Sequence, residues 1–245
     1  MSENYDKLIN EEYSTILTAI PHHAELRKIV AKKIANYAAD KQLSHPKMLE
    51  FGSGRGETLV EIFREFDVRG LSTPRTISVD FDSRALEEQK MIVTKEFPSV
   101  QVEYICADII PIMENFSQAS LDICTATWTL HNFNNTERVY LLKLIRAAMR
   151  PDGIFVVMDK YVPDDPTTEK QLYDNQVALF SKLPIKKENL KSLLIHEAKD
   201  RSEAYIMREK ESMTAMHECG FEAVSISDRK LRDAICIASP LAGRA

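Results

Sequence analysis

Apolar side chains recur along this chain with a period that changes as the chain proceeds. Tyr13, Ile16, Leu17 and Ile20 stand three or four positions apart, the spacing of one helix face, and Pro21 interrupts the run. A second helical face, over roughly 23–41, carries Leu26, Val30, Ile34 and Tyr37, and Ser44-His45-Pro46 reads as a loop. From 47 to 160, short apolar runs alternate with longer amphipathic ones. The pattern predicts strands over 48–51, 75–80, 100–106, 121–125 and 154–158. It predicts helices over 57–66, 83–96, 110–116 and 136–149. Alternating β and α units of these lengths build a parallel sheet joined by right-handed crossovers.

Beyond 160 the pattern changes. Residues 161–205 are polar, hold helix-like runs over 169–183 and 187–195, and are punctuated by Pro163, Pro166 and Pro184. They read as a helical insertion, too short and too polar for a core of their own. A helix over 206–218 ends at Gly220, and two strand-like runs, 221–226 and 234–238, close the chain as a hairpin. The reading is one domain: a helical cap (1–44), an α/β core (45–160), the insertion or lid (161–205), and a last helix with its hairpin (206–245).

Composition adds few restrictions. With 44% hydrophobic and 28% charged residues, the chain is an ordinary globular sequence. The net charge of −5 gives no electrostatic case for a nucleic-acid partner, although a local basic patch stays open. No apolar run approaches the roughly 20 residues of a membrane span. The polar, acidic start is no targeting peptide, so the expected location is cytoplasmic. The four cysteines, Cys106, Cys124, Cys219 and Cys236, lack metal spacing and read as reduced core thiols. His22 and His23 are adjacent, cannot easily turn to one ion, and have no carboxylate cluster nearby in sequence, so no metal is expected. Lys186, Lys187 and Lys191 read as a solvated helix face.

The stretch MLEFGSGRGETL, residues 48–59, concentrates the chemistry. Three of the seven glycines fall here, Gly52, Gly54 and Gly56, between a strand-like and a helix-like run. Such a turn lets a ligand approach backbone and offers it the free N–H groups of a helix start. A dinucleotide turn needs a third glycine at position 57, which is Glu57. The pattern here is E-x-G-x-G-x-G, from Glu50 to Gly56. In an open α/β sheet, ligands sit beyond the carboxyl ends of the strands, so the residues just after each strand matter. Those are Asp80-Phe81-Asp82, then Cys106-Ala107-Asp108-Ile109, then Thr127 to Asn132.

This set resembles the class I S-adenosylmethionine (SAM)-dependent methyltransferases over residues 47–160 and the closing hairpin. The resemblance implies a Rossmann-like fold: a mainly parallel seven-stranded sheet with an antiparallel last strand. It implies SAM as cofactor and S-adenosylhomocysteine as product. Gly52, Ser53, Gly54 and Gly56 would border its methionine part and Glu50 would support its amino group. Asp80, with Phe81, would hold the ribose, and Asp108 and Ile109 would meet the adenine. Thr127 would line the same cavity, and Tyr13 would close it. For Asp80 and Asp108 the alternative reading is a helix N-cap, a task Asp82 is also placed to perform.

A SAM-dependent enzyme must hold a nucleophile in line and sometimes remove its proton. His131 is the best-placed base, since histidine's reference pKa of about 6.5 suits the task, with a buried histidine making a purely structural bond as the alternative. Trp128, the single tryptophan, and Tyr161 are candidate substrate-lining residues, Tyr161 also a candidate catalytic residue that orients the substrate; the alternatives are core packing for Trp128 and packing against the lid for Tyr161. The segments LDICTATWTLHNF, RPDGIFVVMDKY and MHECGFEAVSIS further resemble the carboxy-SAM synthase of the tRNA wobble-uridine pathway. In that family an arginine of the insertion holds the extra carboxylate. Gap-free alignment puts Glu197 there, and a short deletion puts Arg201 there. The leading expectation is a methyltransferase with a small-molecule acceptor and direct in-line transfer. The alternatives are a carboxy-SAM or tRNA-modification enzyme and a non-catalytic SAM-binding module. The insertion also offers a surface for a second copy.

Overall fold

The computed structural model describes residues 20–240. Helix α1 (Pro21–Asp40) is followed by β1 (Lys47–Phe51), α2 (Glu57–Val68), β2 (Arg75–Asp80) and α3 (Ser83–Glu96). Next come β3 (Val102–Cys106), α4 (Ile109–Glu114), β4 (Leu121–Thr127), a 3-10 turn (Leu130–Asn132), α5 (Asn135–Ala148) and β5 (Met149–Lys160). The insertion folds as α6 (Pro166–Phe180) and α7 (Lys187–Asp200). The chain then closes with α8 (Glu209–Glu218), β6 (Ala223–Lys230) and β7 (Asp233–Ser239).

The seven strands form one sheet in the order β3-β2-β1-β4-β5-β7-β6. Strands β1 to β5 pair in parallel, and β7 runs antiparallel to both β5 and β6. The expected mainly parallel sheet with its antiparallel last strand is therefore present. Strand order reverses between β1 and β4, which puts the ligand crevice at their carboxyl ends.

Each sheet face buries its own core, because side chains alternate along a strand. On one face Phe51, Cys124, Phe155 and Tyr161 pack under Leu141, Leu142 and Ile145 of α5 and Met216 of α8. On the other, Met48, Ile123, Val156 and Ile235 pack under Leu26, Val30 and Ile34 of α1 and Leu59, Phe63 and Phe66 of α2. The insertion shares a small apolar cluster with the residue before α1, formed by Ile20, Phe180 and Leu193.

Several boundaries differ from the sequence reading for local reasons. Helix α1 begins at Pro21, ahead of the expected 23, with the proline at a position whose N–H is free in any helix. Strand β5 starts at Met149, not 154, and takes in Pro151-Asp152-Gly153 through a register shift opposite Leu121 and Ile123. Asp122, between those two, accepts the Lys47 N–H at 2.8 Å and the Arg150 guanidinium at 2.9 Å. Helix α7 runs on to Asp200, so its last turn carries charges that the apolar pattern did not reveal. Cys106 is exposed at the end of the edge strand β3, not a core thiol; the other three cysteines are buried.

Candidate functional site

The glycine turn joins β1 to α2 at the switch point. Gly52 and Gly54 have φ of +60° and +52°, in the left-handed region. A Cβ at Gly52 would come within 2.1 Å of the Thr129 hydroxyl, so β4's outgoing loop can lie against the turn only because this residue is glycine. At Gly54 a Cβ would meet nothing within 4 Å, so that face of the turn is open.

Asp80 braces the turn from the end of β2. Its two oxygens accept the N–H groups of Gly54 at 2.7 Å and Asp82 at 2.9 Å. Burial raises its pKa against the opposite pull of those bonds. Asp82, as expected, is the N-cap of α3, accepting from Arg84 and Ala85. Phe81 beside it is 51% exposed, an apolar ring left at a strand end. Asp108 is exposed and caps α4 through the Ile110 N–H at 3.0 Å, while the Ile109 side chain is buried in the core, leaving its backbone for any ligand. The Ser53 hydroxyl faces inward to Ser78 and Gln89, and the Thr127 hydroxyl meets that of Thr58 at 3.0 Å.

Glu50 is the exception among these groups. Its side chain is buried, and neither carboxylate oxygen has a hydrogen-bond partner. Burial, with Glu57 and Asp80 nearby, pushes its pKa up to about 8. A buried acid without partners is costly unless a ligand or proton completes it.

Past β4 the chain enters a second group of charges. Trp128 adopts a φ of +49° while its N–H is held by the Met158 carbonyl at 2.7 Å. Its indole N–H donates to Asp233 at 2.9 Å, and the His23 ring lies 3.9 Å from it, centroid to centroid. Trp128 thus packs against the core, one of the two roles its sequence position left open. His131 sits on the 3-10 turn with Nδ1 2.6 Å from Asp159 Oδ1. The other Asp159 oxygen accepts the N–H groups of Thr129 at 3.1 Å and His131 at 3.3 Å. Burial disfavours the Asp159 charge, but His131 and Lys160 outweigh it and hold the group below the usual carboxylate range. An ionised Asp159 must accept, so Nδ1 carries the proton and the Nε2 lone pair of a neutral ring is left for chemistry. Arg138 anchors this turn, donating to the carbonyls of Leu130, Phe133 and Tyr205.

The insertion covers this pair. From α7, Glu197 and Asp200 reach Lys160 at 2.5 and 2.7 Å, and Glu197 also meets the buried Arg232 at 2.5 Å. His196 stands edge-on to His131, with ring centroids 5.7 Å apart. Its burial, with Lys160 close by, lowers its pKa to about 3. Arg201 is turned to Glu169 of α6 at 2.8 Å, over the Tyr173 ring.

Two expectations are corrected here. Tyr161 is fully buried in the core, where its hydroxyl faces Cys236, so it does not line the crevice. His22 and His23 do turn to one point, because the helix start places both Nε2 atoms on Asp233 Oδ2, at 2.8 and 3.4 Å. Tyr13 lies outside the described residues. Missed altogether were Asp159, Lys160, Asp200 and Arg232, and Glu197 was named only as a counterpart of the family's arginine. An Asp-Lys pair ending a buried strand was the one signal for them.

A methyltransferase-domain family matches residues 42–220. Among curated proteins the chain is similar to the carboxy-SAM synthase of Wolinella succinogenes, 26% identical over 196 residues, covering 77% of this chain and 74% of that one. It is 22% identical to the carboxy-SAM synthase of Glaesserella parasuis, over 69% of this chain and 66% of that one. Among solved structures, the CurJ carbon methyltransferase aligns with a TM-score of 0.62 at 16% identity, over 88% of this chain and 54% of that one. PigF, solved with SAH, aligns with a TM-score of 0.57 at 15% identity, over 98% of this chain and 67% of that one. The chain spans about half the length of CurJ. It belongs to the methyltransferase-domain family and is a SAM-dependent methyltransferase. Among the described residues, no helix is long and apolar enough to cross a membrane.

Proposed function

We propose that this enzyme methylates a small-molecule acceptor, with His131 as the base and Asp159 as the residue that positions it. The observation that carries this reading is the 2.6 Å His131–Asp159 bond at the carboxyl ends of β4 and β5, beside the glycine turn. The chain's residues fit SAM. Glu50 has a buried carboxylate without a partner, suited to an ammonium group, and Gly54 presents an open face. Asp80 keeps a free lone pair on each oxygen for ribose hydroxyls. Phe81, Asp108 and the Ile109 backbone surround the place for the adenine.

Bound SAM supplies an activated methyl group on a sulfonium leaving group. The chain's part is to orient the acceptor, exclude water and accept a proton. His131 Nε2 would take the proton that the acceptor loses on being methylated. Asp159 stabilises the resulting imidazolium. Helix α7 shuts solvent out of this space and must lift to admit the acceptor. The test is release of S-adenosylhomocysteine from SAM across a panel of phenols, amines, carboxylates and enolisable ketones. Turnover with one of them, lost in His131→Ala with SAM binding intact, supports the reading. SAM binding without turnover of any acceptor favours a non-catalytic module.

The second reading, formation of carboxy-SAM, draws on the named relatives. Two contacts weigh against it. Glu197, at the gap-free register position, is an anion already paired with Lys160 and Arg232. Arg201 is taken by Glu169.

A further inference from the structure

We propose that His22, His23 and Asp233 form a site for one divalent first-row transition-metal ion, with Zn2+ as its typical occupant. Ligand atoms of the three residues all lie within 4.8 Å of one another. Bonds near 2 Å put the ligand atoms of a tetrahedral zinc roughly 3.3 Å apart. The two Nε2 atoms stand 2.8 and 3.4 Å from Asp233 Oδ2, a spacing that needs only a small outward shift to admit an ion. Two imidazoles and one carboxylate are a donor set for zinc, iron, cobalt or nickel that leaves coordination positions open.

The surroundings hold the three candidate ligands in place. The indole N–H of Trp128 holds the other Asp233 oxygen at 2.9 Å, which fixes the carboxylate and leaves Oδ2 as its ligating atom. The His23 ring is clamped against Trp128 with 3.9 Å between centroids. His23 Nδ1 is buried and has no hydrogen-bond partner, so the ring's polar engagement is all through Nε2 at this point. The side chains of His22, His23 and Asp233 are 12%, 9% and 1% exposed, so the three ligands are preset rather than gathered from solvent.

A second grouping, His131, His196 and Asp200, has comparable spacing but a different charge. The Lys160 ammonium already lies 2.7 Å from Asp200, and a metal there would have to displace it. His131 is also committed to Asp159 through Nδ1. The proposal therefore names the first grouping alone.

The test uses tag-free full-length protein stripped with EDTA and dialysed free of it. Calorimetric titration with ZnCl2 is expected to give one ion per chain. Co2+ is expected to give a visible d–d absorption band that Zn2+ then bleaches. His22→Ala, the most exposed of the three, and Asp233→Asn are each expected to weaken Zn2+ by roughly tenfold or more. His196→Ala is expected to leave it unchanged. Should Asp233→Asn fail to fold by circular dichroism, His22→Ala decides alone. Absence of stoichiometric binding, undiminished binding by His22→Ala, or loss confined to His196→Ala would each overturn the proposal.

Discussion

Asp159 Oδ1 stands 2.6 Å from His131 Nδ1, and its other oxygen takes the backbone N–H groups of Thr129 and His131. One buried carboxylate at the end of β5 thereby fixes both the loop after β4 and the ring that the loop carries. Replacing it tests whether the ring is a base. His131→Ala is expected to cut turnover by roughly 10²-fold or more. Asp159→Asn removes the acceptor that selects the Nδ1–H tautomer. It is expected to lower kcat while leaving the KM for SAM near its starting value. Steady-state kinetics on both variants checks this, and full activity in His131→Ala would make the pair structural.

Asp80→Ala is expected to weaken SAM binding by roughly 1.5–3 kcal/mol, the size of a hydrogen bond to a charged group. The Gly54 N–H loses its acceptor in the same variant, so the loop loosens too. Calorimetry at fixed pH reads the change, and unaltered affinity would reject the ribose assignment.

Glu50 makes the ligand-free protein pH-sensitive. Its folded pKa, about 8, lies above the 4.5 of an unperturbed glutamic acid. A group raised on folding contributes stability that is fully present below the unfolded value and lost as pH rises through the folded one. Glu50→Gln removes the ionisation. The variant is expected to gain stability relative to the parent as pH climbs from 4.5 through about 8. Paired thermal melts across that range check it, and a constant difference would remove Glu50 as the cause. SAM binding, if its ammonium meets Glu50, should release a proton in the parent and none in the variant.

The insertion is held by buried charges whose partners come from different parts of the chain. Glu197→Gln leaves Lys160 paired with Asp200 and takes from the buried Arg232 the carboxylate it meets. The expected cost is about 3 kcal/mol, in the range seen when one member of a buried pair is removed. Denaturant unfolding measures it. Limited proteolysis is expected to cut residues 161–205 faster in this variant, because the lid opens more often.

Much of the fold could be read because the signals were local. The alternation of strand and helix, the glycines at 52, 54 and 56, and the acid after β2 each sit within one short window. The site's charge pairs could not be read that way. His131 meets Asp159 across 28 positions, and His22 meets Asp233 across 211. Only the sheet order brings β5 and β7 together and sets Lys160 opposite Asp233. Helix α7 was misjudged for a related reason. Its buried side chains include His196, Glu197 and Asp200, so its apolar periodicity ends a turn before the helix does. Tyr161 was misplaced because a residue just past a strand end can point to the crevice or to the core. The core, on the side of Cys236, took it.

Trp128 is the chain's single tryptophan, and it sits between His23, Arg27 and Asp233. Intrinsic fluorescence excited at the indole band therefore reports from one place and no other. Imidazole and guanidinium groups against that ring make its emission responsive to whatever enters, leaves or changes protonation there. The enzyme carries its own dye at the crevice, with no label to attach and no second indole to subtract.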